Sequence, residues 1–155
     1  MSGGGFFSRG GGWVLAQLVL FLMILLAPRL VMIAIPYWLR WLSAPLIVLA
    51  AYLGTGGLYA LGGSLSIFPK PLSDAALVRS GPYRLVRHPI YGALILGTLG
   101  WALWRQHLPG LMLVLALAVF FDRKSRHEEG MLKCRYPDYA DFCKKTRRRL
   151  IPFLY

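Results

Sequence analysis

The chain has 155 residues, of which 57% are AVILMFWYC and only 15% are Asp, Glu, Lys or Arg, and its mean hydropathy is +0.54. A soluble domain is closer to half apolar and about a quarter charged, so this composition points to one integral membrane domain and away from a soluble one. The formal net charge of +12 can signal nucleic acid. Here the charge is segregated from the apolar runs and no RNA-recognition or zinc-finger pattern is present, so its expected partner is anionic membrane lipid and not nucleic acid.

In chain order, residues 1–12, MSGGGFFSRGGG, read as a flexible glycine-rich start. An apolar run then covers residues 13–27. One preceding Arg and no A-x-A site make it a retained transmembrane helix, not a signal peptide. A second run spans residues 43–61 and contains Gly54–Gly57, GTGG, a stretch suited to close helix packing in lipid. The third and fourth runs, residues 90–104 and 109–121, are joined by RQHLPG. Pro109 and Gly110 there suggest a tight turn and an antiparallel helix hairpin. Several runs fall short of the ~20 residues that cross a bilayer alone, so flanking residues must complete them.

Four spans place Arg9, Lys70, Arg79, Arg84, Arg87 and ten Lys or Arg of the tail on one side, against Arg29, Arg40 and Arg105 on the other. The positive-inside rule makes the first side cytosolic, with both termini on it. The expected fold is therefore an all-α, multi-pass integral membrane protein of about four transmembrane helices, with a helix hairpin before a cytosolic helical C-terminal tail. Trp13, Trp38, Trp41, Trp101 and Trp104 near the run ends suit an interfacial belt. Cys134 and Cys143 have neither zinc-site nor disulfide-framework spacing, so no metal is expected.

Two polar constellations interrupt the apolar runs. In GPYRLVRHPIYG, residues 81–92, the SGPY segment reads as a turn. Pro89 fits the first turn of a helix, where its missing N–H costs nothing. Arg87 and His88 then sit at the positive, N–H-bearing end of that helix, a natural place for an anion. Tyr91 lies one turn on, sharing a face with His88. The second constellation, FFDRKSRHEEGMLKCRYPDYADFCKKTRRRLIP, starts as the fourth run ends. Lys124 and Glu128 are four apart and Arg126 and Glu129 three apart, spacings that pair opposite charges on a helix. A solvated, salt-bridged helix end would satisfy that pattern. The hairpin, however, brings both constellations to one membrane face. Arginines, a histidine, tyrosines and carboxylates together suit a zwitterion, which needs an acid for its ammonium and cations or helix N–H groups for its carboxylate.

Gly81–Tyr83, Arg87–Tyr91 with Gly92, Glu128–Glu129 with Leu132, Tyr136, Tyr139 and Ile151–Pro152 together resemble the isoprenylcysteine carboxyl methyltransferase family. Related phospholipid methyltransferases share its superfamily, and the resemblance covers roughly residues 61–152. It implies an integral membrane methyltransferase that uses S-adenosylmethionine. The cofactor residues it implies are Ala75, Ala76, Leu77, Val78, Tyr83, His88, Pro89, Ile90, Tyr91 and Glu128. Arg87 and Glu129 join this set from the polar cluster itself. Lys124 stands where the eukaryotic carboxyl methyltransferases carry a substrate-contacting Arg, and a point charge there replaces a bidentate fork. The resulting organisation is a flexible start (1–12), two transmembrane helices (13–61) and a catalytic core (62–155).

The expected acceptor is a lipophilic molecule entering from the bilayer, methylated on a carboxyl or amine group. A carboxylate acceptor needs no general base; an amine does, and Glu129 or His88 are candidates. Two rivals are an NADPH-dependent membrane reductase and a non-catalytic protein that keeps the scaffold. The acceptor's identity and the oligomeric state stay open in the sequence.

Overall fold

A computed structural model describes residues 10–26, 36–64, 77–106 and 108–155. Ala75 and Ala76 lie outside the described residues. Among the described residues six α-helices follow one another: α1 (Gly11–Leu26), α2 (Tyr37–Arg40), α3 (Ser43–Leu61), α4 (Pro89–Arg105), α5 (Leu108–Arg135) and α6 (Tyr139–Lys145). Among the described residues no strand forms. The bounds of α3 coincide with the second apolar run, and α1 and α4 each begin slightly before theirs. The fourth run continues as helix into the polar tail, making α5 28 residues long, about 42 Å at 1.5 Å per residue. By length and composition, one described helical stretch, Trp38–Ser64, can cross a membrane unaided; α1 is apolar but only 16 residues long.

The turn between α4 and α5 corrects one sequence expectation. It is made at Gln106, whose φ is +52°, while Pro109 and Gly110 lie inside the first turn of α5. A proline there loses no hydrogen bond, because the first N–H groups of a helix have no intrahelical partner. The hairpin itself is antiparallel: Tyr91 near the start of α4 stacks on Phe121 of α5, their ring centroids 4.7 Å apart.

Helix α3 packs antiparallel on α4 through small residues. A Cβ on Gly57 would come within 3.0 Å of Ile90 Cγ1, one on Gly54 within 3.3 Å of Ala93 Cβ, and one on Gly100 within 2.9 Å of Ile47 Cγ1. The small residues of the GTGG stretch thus let two backbones approach. Leu53, Val86, Ala93 and Leu96 fill this interface. Ile24, Ile95, Val114, Leu117 and Phe121 form the neighbouring core between α1, α4 and α5. The outer faces stay apolar too, with Leu18, Leu22, Val48, Tyr52, Leu115 and Val119 exposed.

The two ends of the bundle differ. At one, the Arg40 guanidinium lies 4.6 Å over the Trp104 ring and Arg105 donates to the Leu25 carbonyl at 3.1 Å. At the other, the chain after α6 runs back beside the segment before α4. There the Arg87 N–H donates to the Arg148 carbonyl (3.0 Å) and the His88 N–H to the Arg149 carbonyl (2.9 Å). Gly92 makes that return possible, since any Cβ on it would sit 2.0 Å from the Leu150 carbonyl oxygen.

Candidate functional site

The polar cluster is built where α4 begins and where α5 leaves its apolar section. The turn SGPY winds into a 3-10 turn over Gly81–Arg84, with Gly81 at φ +58°. It buries Tyr83, whose carbonyl accepts a hydrogen bond from the Thr146 hydroxyl at 3.3 Å. Burial, and after it the Glu128 charge, hold the Tyr83 phenol well above its ordinary value. His88 is the residue before the first turn of α4 and Pro89 its first residue. The His88 ring stacks on Tyr91, centroids 5.5 Å apart and planes within 2°.

Across from them stand the two carboxylates of α5. Glu128 accepts a 2.5 Å hydrogen bond from the Tyr91 hydroxyl, and its Oε2 lies 3.6 Å from His88 Nδ1. Burial raises the Glu128 carboxyl above its usual range, more than His88, Tyr91 and Lys124 lower it. Glu129 goes the other way. Burial alone would raise it, but the imidazole of His88 and the guanidinium of Arg87 beside it hold it down at about 2. Arg87 Nε donates to Glu129 at 2.8 Å, and Arg149 Nε at 3.2 Å. One carboxylate is therefore a neutralised structural partner, and the other is a buried acid with incomplete compensation. His88 Nε2, 3.3 Å from Glu129 Oε1, is misaligned for a hydrogen bond and is a buried nitrogen with no partner.

Lys124 is 2% exposed. Its Nζ donates to Gln17 of α1 at 2.9 Å and stands 5.0 Å from the centre of the Tyr91 ring. Burial lowers its proton affinity, and the Glu128 charge restores part of it.

The structure thus gathers His88, Tyr91, Lys124, Glu128, Glu129 and Arg87 at one end of the bundle. Pro89 and Ile90 pack instead against Gly57 of α3. Leu77 and Val78 are half-buried. Arg87 is engaged three ways, by Glu129 and by the carbonyls of Thr146 and Arg147, each at 2.8 Å. The expected Arg126–Glu129 pair does not form: Arg126 bonds Asp122 at 2.8 Å, because Glu129 is already taken from two sides. Sequence reasoning missed Gln17, Arg149, Asp122 and Tyr155. Arg149 bridges Glu129 and Asp122, and the Tyr155 hydroxyl donates to Asp122 at 2.9 Å. Among the described residues no three His, Cys, Asp or Glu side chains form a metal-ligating group.

Comparison with known proteins adds the following. Residues 38–139 match the phospholipid methyltransferase family. The chain is 32% identical over 109 residues to the cobalt-zinc-cadmium resistance protein CzcN of Cupriavidus metallidurans, covering 68% of this chain and 49% of that one. It is 27% identical over 109 residues to the nickel-cobalt-cadmium resistance protein NccN of Alcaligenes xylosoxydans xylosoxydans, covering 68% and 50%. The chain spans about half the length of these curated relatives.

Proposed function

The chain belongs to the phospholipid methyltransferase family, and from that premise we propose that it is an integral membrane methyltransferase using S-adenosylmethionine on a lipophilic acceptor at the cytosolic membrane face. Charge segregation and the apolar outer faces of α1, α3 and α5 support a multi-pass arrangement with α1, α3, α4 and the first half of α5 in the bilayer. The observation that carries the reading is the buried Glu128–Tyr91–His88 cluster, with its unpartnered His88 nitrogen.

That donor set fits a zwitterionic cofactor. Glu128 would hold an ammonium, and the His88 Nε2 and the N–H end of α4 would face a carboxylate. S-adenosylmethionine, when bound, supplies a methyl group on a sulfonium. The residues then have to align an acceptor and exclude water. Tyr91, stacked between His88 and Phe121, keeps the Glu128 carboxylate in place. Lys124 would touch the acceptor head group. A carboxylate acceptor would need no base. An amine would, and Glu129 makes a poor one, being held at about 2 and bonded by Arg87 and Arg149. That leaves His88 as the candidate to take the proton of an amine, through the ring nitrogen that does not donate to the cofactor carboxylate.

The metal resistance in the relatives' names is said of those proteins, and the reading here does not depend on it. Calorimetry with S-adenosylmethionine tests the proposal. The wild type should bind and Glu128→Ala should not. Wild-type affinity in that variant, or retention of NADPH in place of the methyl donor, would sink it.

A further inference from the structure

Helix α1 lies outside residues 38–139, the part of the chain that matches the family, yet it reaches the charged end of the bundle. Trp13 stacks on His127 at 5.9 Å, and Gln17 takes the Lys124 ammonium. That ammonium has three protons to donate, and a buried cation is costly until they are received. Among the described residues Gln17 accepts the one hydrogen bond that Lys124 makes. Beside it stand the face of the Tyr91 ring, a weak electrostatic attraction, and the charge of Glu128, which acts on it without a hydrogen bond. An amide oxygen is neutral. It fixes the ammonium without cancelling its charge, whereas a carboxylate at the same place would close an ion pair and spend that charge internally.

We propose that Gln17 is a positioning residue: it holds Lys124 against Tyr91 with no carboxylate bonded to it, so that Lys124 takes an anionic oxygen group of the methyl acceptor. Helix α1 thereby helps choose the acceptor. The proposal rests on the methyltransferase reading, which is what supplies an acceptor. A carboxylate and a lipid phosphate present the same chemistry to an ammonium.

The test is titration of the whole protein, in neutral maltoside detergent, with dodecanoate and with dodecyl phosphate. Lys124→Met defines the nonspecific binding to the rest of a chain with net charge +12. The wild type should show an additional site, and the tighter amphiphile identifies the source of the anion. Gln17→Leu should weaken that site about tenfold or more, the worth of one charge-assisted hydrogen bond. Gln17→Glu should weaken it as much while leaving the unfolding midpoint unchanged or higher. A merely structural acceptor would be satisfied by glutamate, so this variant decides the matter even where Gln17→Leu does not fold. Wild-type affinity in Gln17→Glu, or identical titrations of wild type and Lys124→Met, would overturn the proposal. Failure of the wild type to bind S-adenosylmethionine would overturn the methyltransferase reading and leave this result standing.

Discussion

The α3–α4 interface and the charged end of the bundle are held together by different means. Along α3 and α4 the contact is shape: glycines and alanines facing each other with no charged residue between them. At the charged end the contact is a network in which Arg87 and Arg149 converge on Glu129 while Glu128 is bonded by a tyrosine and faced by a histidine. Packing of the first kind fixes where helices stand and offers nothing to a ligand. The second kind spends one carboxylate to hold the backbone and leaves its neighbour available. On the proposed reading, the two adjacent glutamates divide the labour between scaffold and site.

The largest effect should come from breaking the charged end at Arg87. Its guanidinium bonds Glu129 and the carbonyls of Thr146 and Arg147, which ties α5 and the returning tail to the start of α4. Arg87→Ala leaves a buried carboxylate and two carbonyls short of a donor, a loss of about 3–5 kcal/mol. Arg87→Lys should rescue little, since a point charge cannot serve several acceptors in one plane. Chaotrope unfolding of the detergent-solubilised protein would measure both, and a near-wild-type midpoint for Arg87→Ala would refute the tie.

Next in size is a pH effect that separates the two glutamates. Glu129 falls from 4.5 to about 2 on folding. The stability it contributes is therefore present above pH 4.5 and is lost as pH drops from there towards 2. Its size is on the order of 3 kcal/mol at 1.36 kcal/mol per unit. Glu128 is shifted upward, so the folded state binds its proton more tightly, and its contribution is lost as pH rises above 4.5 through the raised value. Glu129→Gln should flatten the acid limb of the stability profile and Glu128→Gln the opposite limb. Unfolding midpoints across pH 2–8 read both slopes, and identical slopes in the two variants would contradict the division.

These two regions were also unequally legible in the sequence. The α3 bounds, the start of α4 at Pro89 and the His88–Tyr91 pairing follow from local rules: an apolar run, a proline with no N–H to lose, a three-residue spacing. The meeting of His88 with Glu128 needed only one non-local step, the hairpin. Arg149 needed the whole tail. Three arginines stand together at 147–149, and nothing local says that Arg147 and Arg148 stay exposed while Arg149 turns inward. Arg126 shows the same limit from the other side. Both Asp122 and Glu129 lie at pairing distance along the helix, and the choice was made by Arg87 and Arg149 arriving from elsewhere. Gln17 carried no signal at all, being one polar residue in an apolar helix.

The smallest effects should come from single methyl groups on α4, where one substitution can touch either region. A Cβ on Gly92 would stand 2.0 Å from the Leu150 carbonyl oxygen, a backbone atom that moves only if the tail moves. Gly92→Ala should cost about 1–3 kcal/mol by overpacking and weaken cofactor binding with it, because the displaced segment carries Arg149. Five residues on, a Cβ on Gly97 would meet only Ala50 Cβ at 3.6 Å, an ordinary contact. Gly97→Ala should therefore be neutral or stabilise by up to about 1 kcal/mol, as alanine does in a helix interior, with cofactor binding untouched. The two changes are chemically identical and lie on one helix. If their unfolding midpoints moved together, helix propensity would govern α4; if they separate in sign, the returning tail is what Gly92 is there to admit.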